Sequence, residues 1–127
     1  MRFWFSELES LLKEQPKNDS LLEDLALINM SLGDKAAALA LSERAIAANP
    51  VEKDALTGPI PLEILARVAA RTGEPDRAIA ALQKLLLIPY AGVAGNIPLT
   101  PALLRLDPMF DPLRNDPRFQ RLVASPK

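Results

Sequence analysis

Apolar side chains recur along most of this chain at spacings of three and four, and glycine, proline and aspartate interrupt them. Between Leu21 and Leu32 the apolar positions include Leu22, Leu25, Ala26 and Ile28, the stripe of an amphipathic helix. Gly33 ends that stripe, because glycine enters a left-handed C-terminal cap without strain. Asp34 then caps a second predicted helix over about 35–48, and Asn49-Pro50 stops it, since proline disfavours helical geometry in the residue before it. The same plan returns over about 60–72 and 75–88. Pro59, Pro61 and Pro75 fall there in first turns, where a helix tolerates proline. Ahead of these, "FWFSELESLLKEQP" (3–16) predicts an amphipathic helix that ends at Pro16.

The two helix pairs are copies. Shifted by forty residues, Leu22, Glu23, Leu25, Ala26 and Gly33 fall on Leu62, Glu63, Leu65, Ala66 and Gly73. Ala38 and Ala40 fall on Ala78 and Ala80, Arg44 falls on Lys84, and the Pro50 stop matches Pro89 within one residue. Periods of this size are the signature of stacked repeat units. The turn inside each unit is so short that its two helices must run antiparallel. Close antiparallel packing needs small side chains at the crossing. Ala26 and Ala38 are predicted to let the backbones approach, and Ala45 to face the next unit, with Leu22, Leu25, Leu41 and Ile46 around them. Helix propensity explains the abundance of alanine but not its recurrence at Ala66 and Ala78.

Leu22, Leu25, Ala26, Gly33-Asp34, Ala38, Ala45 and Pro50, followed by Leu62, Leu65, Ala66, Gly73-Glu74, Ala78 and Pro89, resemble the tetratricopeptide repeat family over residues 19–90. The resemblance implies an all-α fold, an α-α superhelix of antiparallel helix pairs. The expected chain is a single helical domain over 1–127: an N-terminal capping helix (1–16), repeat one (19–50), repeat two (59–90) and a capping segment with short C-terminal helices (91–127). The chain departs from the family pattern in three places. Asn29 and Ala69 stand where an aromatic is usual, Leu85 replaces a small residue, and "VEKDALTGP" lengthens the family period of about 34 residues.

The 3–16 helix resembles the second helix of a preceding unit, with Trp4 at the place of Ala38. Phe3, Trp4 and Phe5 are expected to pack on the first unit; the alternative is a homo-oligomer formed through this end. At the other end, "RLDPMFDPLRNDPRFQRLV" (105–123) contains Asp-Pro three times. Each reads as a capping aspartate before a first-turn proline, which predicts short helices over about 101–106, 111–114 and 117–123. Phe110, Leu113, Phe119 and Leu122 are expected to pack on the second unit. This tail resembles the C-terminal end of bacterial multidomain regulators and kinases that finish in tetratricopeptide repeats.

Composition narrows the chemistry. The chain has 127 residues, a net charge of −1, and neither cysteine nor histidine. No whole-chain field draws it to nucleic acid, and the commonest general base and zinc ligands are missing. Glu7 and Glu9 interrupt the first apolar run, so no signal peptide is read there. Leu85 to Leu104 is 20 residues without a charge, long enough to span a bilayer. Pro89, Gly92, Gly95, Asn96, Pro98 and Pro101 break it into a helix end, a buried loop and a helix start, so no membrane span is expected and the cytoplasm is the expected compartment.

No catalytic, metal-binding or cofactor residue is assigned. Glu23 and Glu63 occupy equivalent places, and two carboxylates suit acid–base work, but repeat symmetry explains the pair. The aspartates beside Arg114, Arg118 and Arg121 read as caps and local ion pairs. "NDS" (18–20) and "NMS" (29–31) match the glycosylation pattern by chance, and no Gly-rich phosphate loop occurs. The family resemblance implies a non-enzymatic interaction scaffold whose first helices line a groove for a protein or peptide segment. On this sequence the groove residues are Glu23, Leu27 and Met30, then Glu63, Arg67 and Arg71, with Ser31 and Ala70 beside them. Leu27 and two glutamates do not suit the carboxylate clamp that some relatives use for chaperone tails. The implied setting is the C-terminal module of a bacterial signalling or transcription-regulatory protein. The alternatives are an end-cap of a longer array or a self-association module, with a small enzyme as the third.

Overall fold

The computed structural model describes residues 2–49, 59–87 and 99–124, without the side chains of residues 2–5 and Asp19. Every regular element among the described residues is helical: α1 (Arg2–Glu14), α2 (Asp19–Ser31), α3 (Lys35–Ala48), α4 (Pro59–Arg71), α5 (Pro75–Leu85), α6 (Pro101–Leu106), a 3-10 helix (Pro108–Leu113) and α7 (Pro117–Ala124). The expected packing of Phe3, Trp4 and Phe5, the stops at Pro50 and Pro89, the insertion at 51–58 and the loop at 89–98 lie outside the described residues.

Helix α2 starts earlier than its apolar stripe because Asn18 caps it, its side chain accepting from the Leu21 N–H at 3.2 Å. At the far end Gly33 adopts φ +85°. The Gly33 N–H donates to the Met30 carbonyl at 3.1 Å and the Asp34 N–H to the Asn29 carbonyl at 2.9 Å, the paired bonds of a Schellman cap. Forty residues on, Gly73 takes φ +76° and the Glu74 N–H reaches the Ala69 carbonyl at 2.9 Å. The copies then diverge. Asp34 caps α3 through the Ala37 N–H at 3.1 Å, whereas Glu74 makes no side-chain cap. Its longer side chain reaches Lys35 of the first pair at 3.1 Å instead.

Helix α2 packs on α3 and α4 on α5. Helix α3 also packs on α4, α2 lies beside α4, and α1 lies against α2. Ala26, Ala38, Ala45, Ala66 and Ala78 are completely buried, as close helix crossings require. Among the described residues two uncharged polar side chains are buried in this interior and bond within their own helices. Asn29 Nδ2 donates to the Leu25 carbonyl and Ser42 Oγ to the Ala38 carbonyl, both at 2.8 Å.

The C-terminal elements share the core of the second pair. Phe110, Leu113 and Phe119 are buried with Leu62, Ile79, Leu82 and Leu85, and the rings of Phe110 and Phe119 stack at 6.4 Å. The three Asp-Pro steps do not act alike. Asp107 caps the 3-10 helix through the Met109 N–H at 2.9 Å, and Asp116 accepts from the Arg118 N–H at 2.8 Å at the start of α7. Asp111-Pro112 starts no helix. The 3-10 helix begins at Pro108, four residues before Pro112, and contains it, with Asp107 as its cap. The expected 111–114 helix is therefore 108–113.

Candidate functional site

The faces of α2 and α4 carry the sequence-derived groove, and the structure treats their two halves differently. On α2, Glu23, Leu27 and Met30 follow one another at helical spacing and are all half-buried. Leu27 and Met30 lean on Ile64 and Val68 of α4, with Ala26 and Ala38 beneath. This half is an apolar floor with a carboxylate at its N-terminal edge.

The α4 half is closed. Glu63 is fully buried and Arg67 is 9% exposed, so neither lines an open surface. The 3-10 helix lies across them. The Arg67 guanidinium donates through Nε to Glu63 Oε2 at 3.0 Å and through Nη1 to Asp107 Oδ2 at 2.8 Å. Its face sits 5.4 Å from the centre of the Phe110 ring, within cation–π range. Arg71, one turn on and exposed, donates from Nη2 to the Pro108 carbonyl at 2.8 Å. A planar fork with several fixed donors suits this task, since one side chain joins two carboxylates and a ring.

The electrostatics agree with that geometry. Burial works against the charge of Arg67, but the Asp107 and Glu63 carboxylates outweigh it and raise its pKa. Burial likewise opposes ionisation of Asp107, yet the Met109 N–H and the Arg67 guanidinium hold its carboxyl below the usual range. Further along, Arg118 forks between Asp116 at 2.8 Å and Asp76 of α5 at 2.9 Å, and its hydrogen bonds hold the Asp116 carboxyl down to about 2. Arg114 turns back to the Asp107 carbonyl at 3.1 Å and the Leu104 carbonyl at 3.4 Å, a cation placed at the C-terminal end of α6.

Thus the predicted site residues fall into two groups. Glu23, Leu27 and Met30 lie together on the open α2 face, and Arg71 stands exposed on α4. Glu63 and Arg67 are the buried staple of the C-terminal segment. The sequence contained the signal for the second group. Glu63 and Arg67 interrupt a helix that is apolar nearly all round, from Leu62 through Ile64, Leu65 and Val68 to Ala70. Such a helix is buried on every side, and charges inside it must be paired.

The sequence reading also missed a cleft of about 920 Å3 between α1 and α3, floored by Leu25 and Asn29 of α2 and edged by Lys13 and Arg44. Among the described residues no group of three or more acidic side chains is placed to hold a metal ion, and no helix is long and apolar enough to cross a membrane. No known family model, curated protein or solved structure matches the chain.

Proposed function

We propose that this chain is a tetratricopeptide-like scaffold of two units that holds a segment of a partner protein and performs no catalysis. One observation carries the reading: burial and turn geometry recur with the sequence at a spacing of forty residues. Ala26 and Ala66, Asn29 and Ala69, Ala38 and Ala78, Ser42 and Leu82, and Ala45 and Leu85 are all buried. Gly33 and Gly73 both take positive φ. A helix pair that repeats in this way and stacks on its copy is the unit of a solenoid, which presents its first helices as a continuous face. The face left open is Glu23, Leu27 and Met30, with Arg71 at its border. It suits a segment that sets an apolar side chain between Leu27 and Met30. The Asp-Pro tail supports the C-terminal module of a bacterial regulator as the setting.

A random-peptide display library panned on the full chain tests the reading. Peptides with a shared apolar anchor should be enriched. Met30→Glu should weaken them at least tenfold while leaving the helical circular dichroism spectrum unchanged. Failure to enrich any peptide, or equal binding by Met30→Glu, would remove groove recognition.

A second reading, an end-cap of a longer array, draws on one observation. The 3-10 helix and α7 cover the second unit, while Leu11 of α1 stands 44% exposed at the other end. An end-cap alone should pass the display experiment with no enriched peptide.

A further inference from the structure

An arginine bridges two carboxylates where the two helix pairs meet. Arg77 of α5 sets Nη1 3.3 Å from Glu43 of α3 and Nε 3.8 Å from Glu74 at the head of its own helix. The preceding seam, between α1 and α3, keeps both acids. Glu9 corresponds to Glu43, at the offset that sets Trp4 on Ala38, and Asp34 corresponds to Glu74. The counterpart of Arg77 is Ala37. Glu9, Asp34 and Ala37 all line the cleft between α1 and α3, so the carboxylates stand there with space in place of the guanidinium. Asn29 adds a third acceptor on the cleft floor, where the second unit has Ala69. It is 5% exposed, and its Nδ2 is held by the Leu25 carbonyl at 2.8 Å. Its Oδ1 accepts no hydrogen bond among the described residues. No fully buried side-chain oxygen there lacks a partner, so Oδ1 is the atom that meets the cleft.

We propose that this cleft binds an arginine with a free α-carboxylate, its guanidinium between Glu9 and Asp34 over Ala37 and its carboxylate at Lys13 and Arg44. The planar fork of a guanidinium offers enough fixed donors for Glu9, Asp34 and Asn29 Oδ1 together, which a compact ammonium does not. Leu25 and Leu41 line the cleft beside them and suit the apolar stem. The opposite end of the cleft is cationic. Arg44 Nη2 donates to the Pro16 carbonyl at 3.3 Å, which sets Arg44 beside the end of α1 that carries Lys13. That bond leaves the Arg44 charge without a carboxylate. Glu9 and Lys13 have the spacing that favours an ion pair, yet neither makes one among the described residues. Each is therefore available to the group of opposite charge on the ligand. Ala37 and Arg44 are seven residues apart on α3, about 10 Å along the helix, an interval that an extended arginine and the reach of the Lys13 and Arg44 side chains close. The inference uses the repeat correspondence but not the α2 groove.

Isothermal titration calorimetry of the full chain with N-acetylarginine tests the site. N-acetylarginine should bind at least tenfold more tightly than N-acetylcitrulline, which keeps the shape without the charge, and than N-acetylarginine amide, which lacks the carboxylate. Free arginine separates the sources: tighter binding than the acetylated form assigns the amino acid itself, and weaker binding assigns the C-terminus of a peptide. Ala37→Arg should abolish binding, because the introduced side chain takes the place that Arg77 holds in the second seam. Arginine favours helix nearly as well as alanine, so the circular dichroism spectrum should not change. Glu9→Gln, at an exposed position, should weaken binding at least fivefold. Equal binding of N-acetylarginine and N-acetylcitrulline, no binding of either, or binding that survives both Ala37→Arg and Glu9→Gln would overturn the proposal. The Met30→Glu experiment reads the other face of α2, so a failure here leaves groove recognition standing.

Discussion

Arg67→Met gives the sharpest reading of how the second unit is closed. The methionine keeps much of the stem that lies over α4 but removes the guanidinium from Glu63 and Asp107. The Glu63 side chain is 1% exposed and that of Asp107 25%. Removing one partner of a buried ion pair costs about 3–5 kcal/mol, because the other charge stays buried. Most of that cost falls on Glu63. The Asp107 pair is partly solvated and adds no more than about 1 kcal/mol, and the lost cation–π contact adds about 1 kcal/mol. The expected loss is about 4–7 kcal/mol, a large fraction of the roughly 5–15 kcal/mol that holds a domain together.

Asp107→Asn is the control. Asparagine caps as well as aspartate, so only the exposed share of the pair is lost, about 1 kcal/mol. Glu63→Met with Arg67→Met should regain at least half of the single-variant loss, since an apolar pair of similar volume replaces a buried ionic one. Urea unfolding followed by circular dichroism measures all three. An Arg67→Met variant within about 1 kcal/mol of the parent, against the expectation from a buried pair, would refute the staple. So would an Asp107→Asn variant that costs as much as Arg67→Met.

Further outcomes follow from other parts of the structure. A β-carbon built at Gly33 meets nothing within 4 Å, so Gly33→Ala should cost only the left-handed backbone penalty of about 1–2 kcal/mol. Gly33→Asn should cost less in the same urea titration. Phe110→Ala should cost about 3–5 kcal/mol, because the ring is fully buried in the core shared by α4 and the tail; a loss below about 1 kcal/mol would mean that the tail is not part of that core. Acid should destabilise the fold. Asp107 and Asp116 bind protons less readily folded than unfolded, so the unfolded chain gains more protons as pH falls. The loss should run from about pH 4, near the ordinary carboxyl value, downward through the Asp116 value of about 2. Asp24, raised by its burial, works in the opposite direction and softens the fall. Urea midpoints that stay flat between those limits would contradict the assignment.

The helix pairs were legible in the sequence because their signals are local. Gly33 and Gly73 need only the backbone freedom of glycine, and the buried alanines need only their spacing. The α2 start at Asp19 was displaced by a cap at Asn18, a residue that also fits a glycosylation pattern. What escaped was long-range. Arg67 meets Asp107 forty residues away, and no periodicity within α4 says which segment will cover it. Asp111-Pro112 has the same local chemistry as Asp107-Pro108, yet only Asp107 caps a helix, and Pro112 lies inside the turn that it caps. The α1–α3 cleft left no periodic trace. Its one marker was Asn29, a polar residue where the second unit has Ala69.

On the proposed function, the open α2 face receives a partner segment while the α4 face is sealed by the chain's own tail. Nuclear magnetic resonance titration of the labelled chain with a peptide enriched by display tests both halves at once. Chemical-shift changes should concentrate at Glu23, Leu27 and Met30 and at Arg71, with Glu63, Arg67 and Phe110 unmoved. Changes centred on Glu63, Arg67 and Phe110, or on the cleft between α1 and α3, would contradict the account.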